Sequence, residues 1–321
     1  MTSASLLEER RNRVLTAMAD ADLDVLVLGR QDDANFASGM HRLWTAGTRP
    51  FGAGCIVVGS TGRTHVLSSW DAGLPPTMST DDLYPSTWNP RVMAGHMSSV
   101  PGLADAHRIG VDEVSPSFAR AVARIAPNAE IIPADDVIAR ARLIKSTEEV
   151  ELIRAACAVA WAGVDAFLHD PSRGASGIIE AIAERGVTIP SSGPVIRRLP
   201  DRHTVDVGVM VAGYEGGIGG SFVDGRRIED SGLWAVCRPG ATHADLARAA
   251  SAEWLVRGLG MGWERPVLTK GLGLHETFEA GMVLSVTDGE QRDVVVVTGT
   301  EPHVLSSRPE PTTPHDEETH P

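Results

Sequence analysis

The stretch from Asp206 to Phe222, DVGVMVAGYEGGIGGSF, alternates apolar and small residues around a GYEGG turn and closes on an aromatic. That is the outline of a β-hairpin, and it commits this half of the chain to a sheet. TVDVGVMV, GMVLSV and DVVVVTG supply its strands. Helical patterns lie between them. Ser146 with Glu149 three residues on forms a capping box ahead of apolar positions at helical period, and Thr242 caps a second helix after the Pro239–Gly240 turn. Residues 141–306 therefore read as an α+β layer pair.

The preceding residues, 1–140, read as an α/β domain. Leu6 to Ala21 carries Leu and Val at helical spacing, and DVLVLG from Asp24 is a buried strand bounded by Gly29. AGCIVVGS and RTHVLSS, separated by TGR, form a hairpin, and HRIGVDE and SPSFARAVARIAP add a strand and a helix. Residues 307–321, SRPEPTTPHDEETHP, are Pro-rich and acidic; a segment with so little apolar surface to bury is predicted to stay disordered.

At 321 residues and 42% hydrophobic composition, the chain can fill two cores. A net charge of -13 without basic runs argues against nucleic acid or an anionic membrane as a partner and leaves a small molecule or a protein. Cys55, Cys157 and Cys237 stand far apart in apolar surroundings, which fits buried thiols and a cytoplasmic location. The N-terminus opens on a charged amphipathic helix, and no apolar run approaches the ~18 residues of a membrane span.

The order of these features resembles the creatinase, prolidase and aminopeptidase P family. DANFASG, ARLIKSTEEVELIRAA, DVGVMVAGYEGGIGGSF, CRPGATHADL and EAGMVLSV carry the resemblance, in the family's order and over nearly the whole chain. It implies an α/β N-terminal domain followed by an α+β pita-bread C-terminal domain. The family's metalloenzymes hold two divalent ions with two Asp, one His and two Glu, which generate a hydroxide and polarise the scissile carbonyl. Carried over, the first Asp is Asp206 and the second falls on Gly217. The His falls on Leu259 within GLGMG, or on Lys270 in a rival register on KGLGLHE. The two Glu fall on Thr287 and Arg292. One carboxylate cannot hold a divalent cation against water, and an arginine among the ligands repels it, so no metal and no cofactor is expected.

Such a pocket can still act through side chains, as creatinase does. The catalytic candidates are Asp206, Glu215, Arg292, Glu264 and His203. Glu215 is placed in the turn beside Asp206, where two carboxylates in one cleft separate in pKa; the alternative is an exposed turn residue. Asp206 and Arg292 can equally form a structural ion pair. For substrate contact the candidates are Tyr214, Arg197 as a carboxylate fork, His275, and the aromatic and polar cluster His41, Trp44, Arg49, Trp70 and Trp88. The resemblance implies that this cluster closes the pocket of a second copy in a homodimer; ordinary packing is the alternative.

The leading expectation is a metal-independent, creatinase-like enzyme acting on a C–N or related bond of a small amino-acid derivative. The alternatives are a non-catalytic pita-bread binding module and an Xaa-Pro dipeptidase or aminopeptidase with unconventional ligands.

Overall fold

A computed structural model describes residues 2–40, 54–68, 71, 73–87, 89–113, 115–187, 190–228 and 232–309. His41, Trp44, Arg49, Trp70 and Trp88 lie outside the described residues, as does most of the tail expected to be disordered.

The first half runs α1 (Ala4–Asp20), β1 (Val25–Leu28), α2 (Gln31–Ser38), β2 (Cys55–Val58), β3 (Arg63–Leu67), β4 (Leu83–Tyr84), α3 (Pro90–Ser98), β5 (Arg108–Val111), α4 (Pro116–Ile125), β6 (Glu130–Pro133) and α5 (Asp135–Leu143). Its six strands form one sheet in the order β4-β3-β2-β1-β5-β6. The apolar runs of β1, β2 and β5 are covered on both faces, which explains their lack of alternation. Val25, Val27, Ile56 and Ile109 pack on α3 and α4, while Leu26, Leu28 and Val57 pack on α1, α2 and α5. The TGR hairpin is present as β2 and β3, antiparallel with Cys55 opposite Val66.

The second half runs α6 (Thr147–His169), α7 (Gly174–Ala183), β7 (Pro190–Arg198), β8 (His203–Val211), β9 (Tyr214–Val223), β10 (Arg226–Arg227), α8 (His243–Ala249), β11 (Trp254–Gly260), β12 (Gly262–Thr269), β13 (Val283–Asp288), β14 (Gln291–Val296) and β15 (His303–Val304). The capping box holds α6: Ser146 accepts from the Glu149 amide, and Glu149 accepts from the Ser146 amide. The main path of the sheet is β12-β11-β13-β14-β9-β8-β7. One face is apolar. Val205, Val207, Val209, Ile218 and Phe222 pack on α6 and α7, and Val256, Leu284 and Val286 pack near α8. Period-two alternation sends Asp206, Gly208, Met210, Glu215, Gly217 and Gly219 to the opposite face.

One reading is corrected. YEGG is strand, because the hairpin turns earlier, at Ala212 and Gly213; both have positive φ (49° and 86°) and join Val211 directly to Tyr214. GLGMG spans the tight β11–β12 connection, with Leu259 opposite Trp263. All three cysteines are free and buried. Among the described residues no helix is long and apolar enough to cross a membrane.

The two halves are joined by buried charge. Arg142, at the end of α5, donates to Asp32 at 2.8 Å, to Asp33, and to Glu264 at 3.0 Å, while Lys145 donates to Glu264 at 2.7 Å. Asp32 and Asp33 open α2, whose N-terminal backbone is held by Asp112: its carboxylate accepts from the Gly29 and Arg30 amides at 2.5 and 3.0 Å. Burial pushes the Asp112 carboxyl up to about 7 despite those bonds.

Candidate active site

The polar face of the second sheet forms an open cleft of about 470 Å³. Its floor carries two ion pairs. Arg292 donates from Nε to Asp206 Oδ2 at 2.9 Å and from Nη2 to Asp206 Oδ1 at 2.6 Å, and Nη2 also reaches the Val207 carbonyl at 2.9 Å. Arg257 donates from Nη2 to both oxygens of Glu215, at 2.9 and 3.0 Å, and Ser191 Oγ donates to Glu215 Oε1 at 3.3 Å. The outer wall is Trp263, 58% exposed, whose ring lies 4.6 Å from the Arg257 guanidinium carbon.

Register explains why these groups meet. Asp206 pairs with Gly219 across β8–β9, Arg292 pairs with Gly219 across β14–β9, and Arg292 faces Thr287 across β13–β14. The glycines of GGIGG provide the room. A Cβ on Gly217 would lie 2.6 and 2.7 Å from the two terminal nitrogens of Arg292, so the guanidinium lies across this position because no side chain occupies it.

Burial works against the charge of Arg292, but Asp206 beside it raises its pKa above the ordinary arginine value. For Arg257 burial wins over Glu215, and its pKa is lowered, with Arg292 adding repulsion.

Of the sequence-derived candidates, Asp206, Glu215 and Arg292 converge on the cleft. Glu215 is no exposed turn residue: it is buried in β9. His203 projects to the helix side of the sheet, its ring centroid 5.5 Å from that of Phe167, because it is an odd number of residues from Asp206. Tyr214 lies fully buried and donates to Glu149 at 2.6 Å; burial, with Glu149 adding, raises its phenol pKa. Glu264 is held in the ion cluster between the halves, outside the cleft lining. Arg197 is exposed, 3.6 Å from Glu290 and outside the cleft lining, and His275 lies on an exposed loop. Arg257, Trp263 and Ser191 were not singled out from the sequence; the signal for Arg257 was a charge inside the strand pattern WLVRGLG, opposite an acid mistaken for a turn residue.

Residues 10–144 match the Creatinase/Prolidase N-terminal domain. Across almost the full chain, the structure resembles solved relatives. The prolidase from Pyrococcus horikoshii is 14% identical over 94% of this chain and 99% of its own, with a TM-score of 0.71. The chain has the prolidase and aminopeptidase P fold. The X-Pro aminopeptidase from Thermotoga maritima (14% identity, 92% and 98% coverage, TM-score 0.69) and a variant of Escherichia coli aminopeptidase P (13%, 95% and 95%, 0.68) have the same architecture. No curated protein sequence matches the chain. The second half of this creatinase/prolidase-fold protein is the pita-bread domain.

The metal positions implied by the resemblance can now be tested against the donors present. Asp206, Thr287 and Arg292 line the cleft, and Gly217 lies beneath the Arg292 guanidinium. Leu259 is fully buried in the core, and Lys270, in the rival register, is exposed and 3.7 Å from Glu253. The single carboxylate already accepts two bonds from a cation that covers the second ligand position. This donor set does not fit a two-metal centre.

Gly217→Ala is expected to displace the guanidinium, weaken the Asp206 pair and cost about 1–3 kcal/mol by chemical denaturation. The same change should cost less in an Arg292→Ala background, and equal costs in both would show that Arg292 is not what the methyl meets.

Proposed function

We propose that the cleft binds a small amino-acid-derived substrate and cleaves a C–N or related bond without a divalent metal. The observation that carries this is the Arg292 guanidinium lying across Gly217 and clamping Asp206, where the resemblance calls for metal and a second carboxylate. A floor of two carboxylates and two guanidiniums is complementary to a zwitterion. The substrate carboxylate exchanges with Asp206 on Arg292, and the released Asp206, the more exposed of the two acids at 32%, faces the bound molecule. Asp206 then takes a proton from water, the oxygen adds to the carbonyl or amidine carbon, and Asp206 returns the proton to the departing nitrogen as the C–N bond breaks. Arg292 stabilises the oxyanion or carboxylate, and Glu215, fixed by Arg257, sets the charge of the floor. A homodimer and a cytoplasmic location accompany this reading.

A second reading, a non-catalytic binding module, is favoured by one observation: both oxygens of Asp206 and of Glu215 already accept from guanidinium. The relatives named as prolidase and X-Pro aminopeptidase suggest the third, an Xaa-Pro peptidase with unconventional ligands.

Elemental analysis of protein purified without chelator, combined with turnover assays on small amides, amidines and Xaa-Pro dipeptides, separates the three. The proposal expects no stoichiometric metal, chelator-resistant turnover, and a loss of about 10²–10⁴-fold in Asp206→Asn with unchanged folding. Tightly held metal with chelator-sensitive Xaa-Pro cleavage would overturn it. Ligand binding that persists in Asp206→Asn, with no turnover by either protein, would establish the binding module.

A further inference from the structure

Hydrogen-bonding capacity in the cleft is distributed unevenly. Its carboxylates are in use: both oxygens of Asp206 accept from Arg292, and both oxygens of Glu215 accept from Arg257. Donors are left over. Arg292 commits Nε and Nη2 to Asp206 and the Val207 carbonyl, whereas Nη1, which lies across Gly217, donates to none of the described residues. A terminal guanidinium nitrogen carries two N–H groups.

Two hydroxyls join it from the neighbouring strand β13. Ser285 and Thr287 are two positions apart, so their side chains share one face of the strand, and both line the cleft. Thr287 is directly opposite Arg292 on β14, and Ser285 is directly opposite Arg257 on β11. Ser285 is only 1% exposed, yet among the described residues neither hydroxyl has a hydrogen-bond partner. A buried hydroxyl without a partner is destabilising, and the rest of β13 between Val283 and Val286 is aliphatic. A serine at this point of the lining is accounted for by an acceptor that arrives from the cleft.

We infer that Arg292 Nη1, Ser285 Oγ and Thr287 Oγ1 form an acceptor-binding position, separate from the Nε–Nη2 edge that holds Asp206, and that it receives the carbonyl oxygen of the bond to be cleaved. The inference rests on the small-molecule reading of the cleft and narrows its substrate to one with two acceptor groups: a carboxylate that exchanges with Asp206 and, a few bonds away, a carbonyl, as in an N-acyl amino acid. As the oxygen of water adds to that carbonyl carbon, the π electron pair moves onto the carbonyl oxygen, and the same donors meet the negative charge that develops there.

The test is calorimetric titration of the full chain with levulinate and pentanoate, carboxylates of equal chain length that differ by one ketone oxygen. Levulinate should bind about tenfold tighter, and N-acetylglycine, with its carbonyl at the same place, should follow levulinate. Ser285→Ala and, separately, Thr287→Val each remove one donor with little change of volume, and each should cut the levulinate-to-pentanoate affinity ratio by about threefold or more. Thermal melting confirms that the variants are folded. Equal binding of levulinate and pentanoate, or a ratio that survives both substitutions, overturns the acceptor position and leaves the carboxylate-binding cleft standing. Binding of none of the three probes overturns both.

Discussion

Arg142→Met is expected to destabilise the protein by about 3–5 kcal/mol, because it leaves buried carboxylates without the cation that compensates them. Arg142 is 4% exposed and donates to Asp32, Asp33 and Glu264, two of which are themselves nearly inaccessible. Methionine replaces the packing volume but no hydrogen bond. Lys145 keeps its bond to Glu264, so the damage falls chiefly on Asp32 and Asp33, at the start of α2. The pH dependence follows from the direction of each shift. In the native protein burial pushes the Glu264 carboxyl up, but Lys145 and Arg142 outweigh it, and the net pKa lies below the ordinary value. That contribution is present above the unfolded pKa and is lost as pH falls through the folded one. In the variant Asp33, which burial already raises above the ordinary carboxyl range, loses the Arg142 charge that holds it down and shifts further up, so acid protonates it and relieves the penalty. The stability gap should therefore be wide near neutral pH and narrow toward pH 5 and below. Urea denaturation across this range checks it; a gap that widens in acid would mean that lost packing, rather than uncompensated charge, is responsible.

The elements whose signals are local were legible. The Ser146–Glu149 capping box and the apolar period after it specify α6, and the TGR break specifies the β2–β3 pair. Asp206 and Arg292, 86 positions apart, were brought to one place by the order of family motifs, and the register across β8, β9 and β14 brings them into contact. Misplacing the hairpin turn had the largest consequence. With GYEGG read as the turn, Glu215 was placed at the turn beside Asp206, and no buried cation was called for as its partner. The actual turn, on Ala212 and Gly213, puts Glu215 inside the sheet, where its charge must be met, and Arg257 meets it. His203 failed for the same reason of parity: its side of the strand cannot be chosen until the register is known. The Arg142–Glu264 contact, across 122 positions, leaves no local trace, because neither α5 nor β12 has a periodicity that distinguishes a buried charge from a surface one.

Arg257→Ala is expected to cost about 3–5 kcal/mol by leaving Glu215 charged and buried. Glu215 is 8% exposed and would retain only the 3.3 Å bond from Ser191. Glu215→Ala alone leaves Arg257 beside Arg292, two cations without the acid between them, and should also destabilise. Removing both members eliminates the uncompensated charge as well as the pair, so the double variant should be more stable than the sum of the single losses by about 1–3 kcal/mol. Additive losses would show that the two side chains act independently. The same variants bear on function, because Trp263 leans on Arg257. If Arg257 also serves the site by supporting Trp263, the double variant regains folding but not ligand affinity, since Trp263 has lost its support and the floor has lost one of its two pairs. If the double variant regains both, the Asp206–Arg292 pair is sufficient for recognition, and the search for the reacting group narrows to Asp206.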